Sequence, residues 1–314
     1  MVSSMMMRCS TAVMVVMAMG FGLGCGGPKK FDSASLASPQ QVQSQADSYW
    51  KKEGWWSLPK ESGKKVVISE FVVQYVTDRS ENMSNNQLGL LMAAELAGVG
   101  KRKYEFEDGF KAKLPTDLYN TFVQELEAAG FTVVPMNQVA QSAALSNITA
   151  GEEGARKGMS QGGGLFQSDT KQKGELYSVA GLSRMYAGVM GLNEARNVQV
   201  QAALMAETGS DIALRVHMIV GLHKGQATVD EGSNLRVYAG LKNWGTESKP
   251  NYGSKVSGML LSSKTIYRTE PVVDDKKFQA GKGNVYQVNE ADYRDAVLEI
   301  YKPYVAMGVH RLQK

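Results

Sequence analysis

The chain has 314 residues, a hydrophobic fraction of 43%, a charged fraction of 21% and a formal net charge of +4. These values are ordinary for a globular protein and exclude a low-complexity or wholly disordered chain. The excess of 35 basic over 31 acidic residues is small and dispersed, so no nucleic acid is expected as a partner.

Both cysteines, Cys9 and Cys25, sit at the N-terminal end. Arg8 is followed by an apolar run from Ala12 to Leu23, closed by Gly24-Cys25. The run falls short of the roughly 20 residues that span a bilayer, but fits the core of an export signal. Small residues before Cys25 and Gly26-Gly27-Pro28 after it resemble a bacterial lipoprotein signal, although Gly22 stands where a leucine is usual. Lipidation (palmitate among the chains) would fall on Cys25. The alternative is a plain secretory signal cut after Gly20 or Gly24. Either way the mature chain keeps one cysteine, so no intramolecular disulfide is expected. The implied partner is a membrane, reached through an N-terminal lipid anchor. The implied location is the cell envelope facing the periplasm, on the outer rather than the inner membrane.

Residues 1–24 are therefore expected as signal peptide, 25–49 as a lipid-anchored flexible tether, and 50–314 as one globular domain. Residues 26–49 are polar without apolar periodicity. Residues 65–77 (KVVISEFVVQYVT) read as a buried strand. Residues 86–99 place Leu88, Leu91, Met92, Leu96 and Val99 at helical spacing. Asp108-Gly109 suggests the tip of a hairpin. Leu118, Phe122 and Leu126 recur every fourth residue, with Pro115 suited to a first helical turn and Gly130 to a left-handed C-terminal cap. A short strand follows at Phe131–Val134, then a helix over 136–147. Residues 149–174 are glycine-rich and aperiodic, and predict a mobile loop. Residues 194–207 predict a helix ended by Gly209.

The clearest signal is at 212–223. Ile212, Leu214, Val216, Met218, Val220 and Leu222 alternate with Ala213, Arg215, His217, Ile219, Gly221 and His223. Period two predicts a strand with one apolar and one mixed face. Two more strands are expected at Asn234–Leu241 and Val256–Tyr267. The last element is a helix capped by Asn289, presenting Tyr293, Val297, Ile300 or Tyr301, and Tyr304, with Pro303 expected to kink or interrupt it. The fold class is thus α/β (α+β), a mixed sheet of about five strands with helices packed on it.

Three phrases carry a family resemblance. LYNTFVQELEAAGFTVVP has a glycine-ended helix feeding a short strand. AALMAETGSDIALRVHMIVG repeats that step. NLRVYAG and VSGMLLSSKTIY follow as paired strands. Over residues 64–268 this order resembles the periplasmic α/β domain of the curli-secretion (CsgG-like) lipoprotein family and the N-terminal domain of TolB-like proteins. The resemblance implies an envelope-facing binding or assembly module and brings no catalytic residues. No pair of segments has the lipid-facing stripe of a channel hairpin.

The chemistry-bearing residues are sparse. His217 and His223 share a strand face, but six residues of strand hold them roughly 20 Å apart, too far for one metal ion. His310 falls in the last helical turn, where a cation suits the helix dipole. The chain beyond Cys25 has no cysteine for thiol chemistry. Gly98-Val99-Gly100-Lys101 lacks the leading glycine and the trailing hydroxyl of a phosphate loop. Gly162-Gly163-Gly164 opens no helix. Catalytic residues, metal and cofactor are therefore not expected.

One cluster remains. Trp50, Trp55 and Trp56 stand with Lys51, Lys52 and Lys60 where tether meets domain. They are candidate membrane-interface or partner contacts, or else indoles that plug one end of the sheet. The function expected is a non-enzymatic envelope lipoprotein acting as an assembly, scaffold or secretion-accessory component, with a homo-oligomer or an envelope protein as possible partner. The alternatives are a periplasmic binding module for a small ligand or peptide, with the 149–174 loop as its site, and an enzyme of unrecognised type.

Overall fold

The structure is a computed structural model that describes residues 29–30, 38–54, 56–58, 63–80, 101–146, 171–182, 194–240, 256–279 and 283–314. Its centre is a pair of long strands, β3 (Lys65–Ser80) and β7 (Ile212–His223), hydrogen-bonded in parallel from Val66↔Ile212 to Val76↔Gly221. Beyond β7 come β8 (Gln226–Val229), β11 (Ile266–Pro271) and the two-residue β1 (Lys29–Lys30). Past the end of β7, the same edge of β3 pairs at Asp78–Ser80 with β4 (Lys101–Glu105), which is followed by β13 (Gly283–Val288) and β12 (Val273–Gln279). β9 (Asn234–Ala239) pairs with the first half of β7, then β10 (Val256–Ser262) and β2 (Trp50–Glu53) follow. β5 (Thr132–Val133) and β6 (Lys171–Ser178) line the other edge of β3.

The sheet is mixed, as expected, but among the described residues it holds 13 strands rather than about five. The extra strands are hidden in the sequence by their charge. KRKYE (β4), KQKGELYS (β6) and VDDKKFQ (β12) lack the apolar runs of central strands. The stretch read as one strand over 256–267 is β10 and β11, separated by Ser263–Thr265.

A bulge in β3 governs which side chains face which layer. The ladder pairs Ile68 with Leu214 and then Glu70 with Arg215, leaving Ser69 as an extra residue. Ser69 Oγ donates to the Leu214 carbonyl at 3.2 Å. The extra residue moves the inward set from even numbers (Val66, Ile68) to odd ones (Phe71, Val73, Tyr75), all buried. These face α2 (Asp108–Ala128), whose Tyr119 and Phe122 rings stand 5.5 and 5.9 Å from that of Phe71. They also face the core that α6 (Glu290–Gln313) fills with buried Tyr293, Val297, Ile300, Tyr301 and Tyr304.

The mixed face of β7 is buried as well, apart from half-buried His217 and His223. The crossovers β3–α2–β5 and β5–α5–β7 run in opposite directions along the sheet. Right-handed connections then put α2 and α5 (Glu194–Thr208) on opposite faces. α5 packs on β3 and β7 and ends at Gly209, in the left-handed region at φ 63°.

Several expectations need correction. The tether does not run free to Tyr49. Residues Pro39–Tyr49 form α1, which packs on α6. Ser38 and Gln41 make a reciprocal capping box, and Val42, Ala46 and Tyr49 share one helical face, the last two buried. Asp108-Gly109 is no hairpin tip but the start of α2. The four-residue repeat extends back from Leu118 through Leu114 to Phe110, so Pro115 lies inside the helix. Pro115 cannot donate to the Lys111 carbonyl, which accepts from Tyr75 Oη at 3.1 Å instead. Pro303 does not interrupt α6, which runs through it. The helix read at 136–147 is two short ones, α3 (Met136–Ala140) and α4 (Ala143–Ser146). The loop read at 149–174 ends earlier, because Lys171 already belongs to β6. The helix read at 86–99, Cys25, Trp55 and residues 149–170 lie outside the described residues. The caps at Asn289 and Gly130 are as expected: Asn289 Oδ1 accepts from Asp292 N, and Gly130 has φ 84°.

Candidate functional site

A cavity of about 480 Å³ lies between α1, α2 and α6. Its floor is one stripe of α6: Glu299, Lys302, Pro303, Ala306, Val309, His310 and Gln313. The stripe covers fifteen residues of helix, Glu299 to Gln313, a rise of about 21 Å. Ser38, Pro39, Val42 and Gln43 of the first turns of α1 form one wall, and Glu125, Ala128 and Ala129 at the end of α2 form the other. Small residues at 128, 129 and 306 leave the space that larger ones would fill. Gln313 Nε2 donates to the Ala129 carbonyl at 2.7 Å, tying the floor to the α2 wall.

Two ionisable groups of this groove, Glu125 and His310, are biased toward neutrality. Burial pushes the pKa of Glu125 up, with Lys302 pulling the other way. Burial pushes that of His310 down, helped by Lys314, opposed by Asp47 and helped again by Arg311. The expected favourable cation at the end of α6 is therefore disfavoured there. His310 Nε2 is buried and has no hydrogen-bond partner among the described residues. Pro303 has no N–H to give to the carbonyl of Glu299, four residues back, and both residues line the groove. The site thus offers an apolar body with hydrogen-bond acceptors at Glu125 and Glu299 and an unused imidazole nitrogen at His310. Such a surface suits an apolar ligand bearing an N–H or O–H donor.

No family model, curated protein or solved structure matches the chain.

His310 apart, the residues singled out by sequence lie elsewhere. Trp50 is fully buried between α1 and α6 and donates from Nε1 to the Tyr304 carbonyl at 2.9 Å. It is a plug of the sheet end, not a surface contact. Trp56 is half-buried, its indole against the backbone of Gly258 in β10, with Lys52 Nζ 4.9 Å from its ring centroid. His217 Nδ1 lies 3.5 Å from Asn234 Nδ2 across the β7–β9 pair, and His223 ends β7 opposite Gln226. Among the described residues no group of three or more His, Cys, Asp or Glu is placed to hold a metal ion.

Sequence reasoning missed the buried ion pair of the sheet. Arg215 Nε donates to Glu70 Oε2 at 2.7 Å, with both residues less than a tenth exposed. Burial works against the guanidinium, but Glu70 and Tyr238 outweigh it and hold the pKa above its usual value. A charge in the middle of an otherwise apolar strand was the available signal, and the bulge at Ser69 is what brings its partner alongside. A second pair, Lys111 Nζ to Glu175 Oε2 at 2.7 Å, ties α2 to β6.

Proposed function

We propose that this protein is a non-enzymatic lipoprotein of the bacterial cell envelope that works by binding, holding a donor-bearing apolar ligand in the groove between α1, α2 and α6. The observation that carries this is the groove itself. Its volume of about 480 Å³ falls within the range of small-molecule sites, roughly 300–1,000 Å³. This brings the binding-module alternative ahead of the assembly or scaffold role, and moves its site from the 149–174 loop to the helical groove. The signal-like segment ending at Cys25 and the resemblance to the curli-secretion and TolB-like domains support the envelope setting.

The test uses the neutral secondary amine N-phenyl-1-naphthylamine, an apolar fluorophore with one N–H donor. The wild type should bind it with enhanced emission. Ala306→Trp, which fills the floor, should abolish that signal with an unchanged circular dichroism spectrum. A folded Ala306→Trp variant that binds as wild type would overturn the assignment of the groove. No binding by either, with the mature protein sedimenting as a ring, would return the assembly role to first place.

A further inference from the structure

We infer that the β1–β11 edge of the sheet is the surface this protein turns toward lipid headgroups, with the ligand groove beside it. The inference rests on lipidation of Cys25. Three observations then fix the geometry. Lys29 and Lys30 pair in parallel with Ile266 and Tyr267, so the chain is stitched to the last strand on that side of the sheet. Cys25 lies four residues before Lys29, a reach of about 14 Å at most. An acyl group on Cys25 therefore enters the bilayer within that distance of β11, whereas a free tether of 25 residues would leave orientation open.

The third observation links edge and groove. Arg268 of β11 pairs with Glu299 at 3.3 Å, and Glu299 lines the groove. Ser38, which lines the groove on its α1 side, follows Lys30 by only eight residues. The groove thus lies within one side chain of the strand that the anchor holds down. β11 also supplies half-buried Tyr267, a residue type suited to the headgroup layer. A ligand that partitions into the bilayer would reach the groove without crossing the aqueous periplasm.

The experiment uses the mature full-length protein in phosphatidylethanolamine/phosphatidylglycerol vesicles doped with a phosphatidylcholine whose headgroup carries a nitroxide. Single cysteines are introduced at exposed positions by Glu270→Cys, on β11, and Thr132→Cys, on β5. The second site lies on the far edge of β3, four strand spacings or about 19 Å across the sheet, and at the opposite end of the central strands. Each is labelled with a thiol-reactive fluorophore. A lipidated Cys25 has no free thiol, so one label per chain is expected. Quenching by the headgroup nitroxide should be several-fold stronger at 270 than at 132. One label per chain with equal quenching, or with the order reversed, would overturn the orientation and leave lipidation standing. Two labels per chain, with no flotation on vesicles, would overturn the lipoprotein assignment and the orientation with it.

Discussion

Replacing Arg215 by methionine would leave the Glu70 carboxylate buried in the sheet without its guanidinium. Glu70 and Arg215 are 7% and 6% exposed, and they meet at 2.7 Å where the β3 bulge aligns them. Breaking a buried pair from one side costs about 3–5 kcal/mol, because one desolvated charge remains. Each kcal/mol shifts the melting temperature of a body this large by about 2–4 °C, so Arg215→Met should lower it by roughly 6–20 °C. Glu70→Leu should do the same by stranding the cation. The double variant Glu70→Leu/Arg215→Met strands neither and should regain most of the loss, since apolar replacement of a whole buried pair is often neutral or stabilising. Urea unfolding followed by far-ultraviolet circular dichroism, on all four proteins, gives the coupling directly. A single variant within about 1 kcal/mol of wild type, or a double variant no better than either single, would refute the claim that desolvation dominates here.

Met218→Asp puts a charge on the fully buried face of β7 and should prevent folding, while His217→Ala, at a half-buried site, should be mild in the same thermal melt. Gly109→Ala meets open space in the first turn of α2 and should stabilise by about 0.5–1 kcal/mol, whereas Gly174→Ala drives a methyl to 2.7 Å from the Tyr75 carbonyl and should destabilise by about 1–3 kcal/mol in urea unfolding. Pro303→Ala restores the helical hydrogen bond to Glu299 and should raise stability by up to about 3 kcal/mol while weakening ligand binding at the groove. His310 has its pKa depressed in the folded state, so it contributes stability that is intact above its unfolded value near 6.5 and is lost as pH falls toward the folded one. Comparing the melting temperature of wild type and His310→Gln between pH 7 and 5 should show the smaller decline in the variant.

The central strand, its apolar face, the tyrosine stripe of α6 and the caps at Gly130, Gly209 and Asn289 were legible because each is a local pattern. Strand β7 could be read to the residue, since one side of every second position is apolar. The bulge at Ser69 was not legible, because it shows only when β3 is paired with β7. α1 was overlooked because its apolar residues number only three and polar glutamines surround them, although Val42, Ala46 and Tyr49 have helical spacing. The groove could not be read at all. Its lining comes from three helices spread between Ser38 and Gln313, and its small residues, Ala128, Ala129 and Ala306, look in sequence like ordinary helix formers.

The tie between Trp50 and Tyr304 has a bearing on biosynthesis. It joins residues 254 positions apart, and β3 likewise waits for β7 to supply its long parallel partner. Loop-closure entropy makes such distant pairings slow to form. An emerging chain therefore exposes the Trp50 pocket until α6 has left the ribosome. If the chain is exported unfolded as proposed, that delay is protective: the N-terminal half holds no complete core that could jam a channel. The same arrangement makes the last helix the closing step, so truncations that remove α6 should yield degraded protein rather than a smaller folded domain.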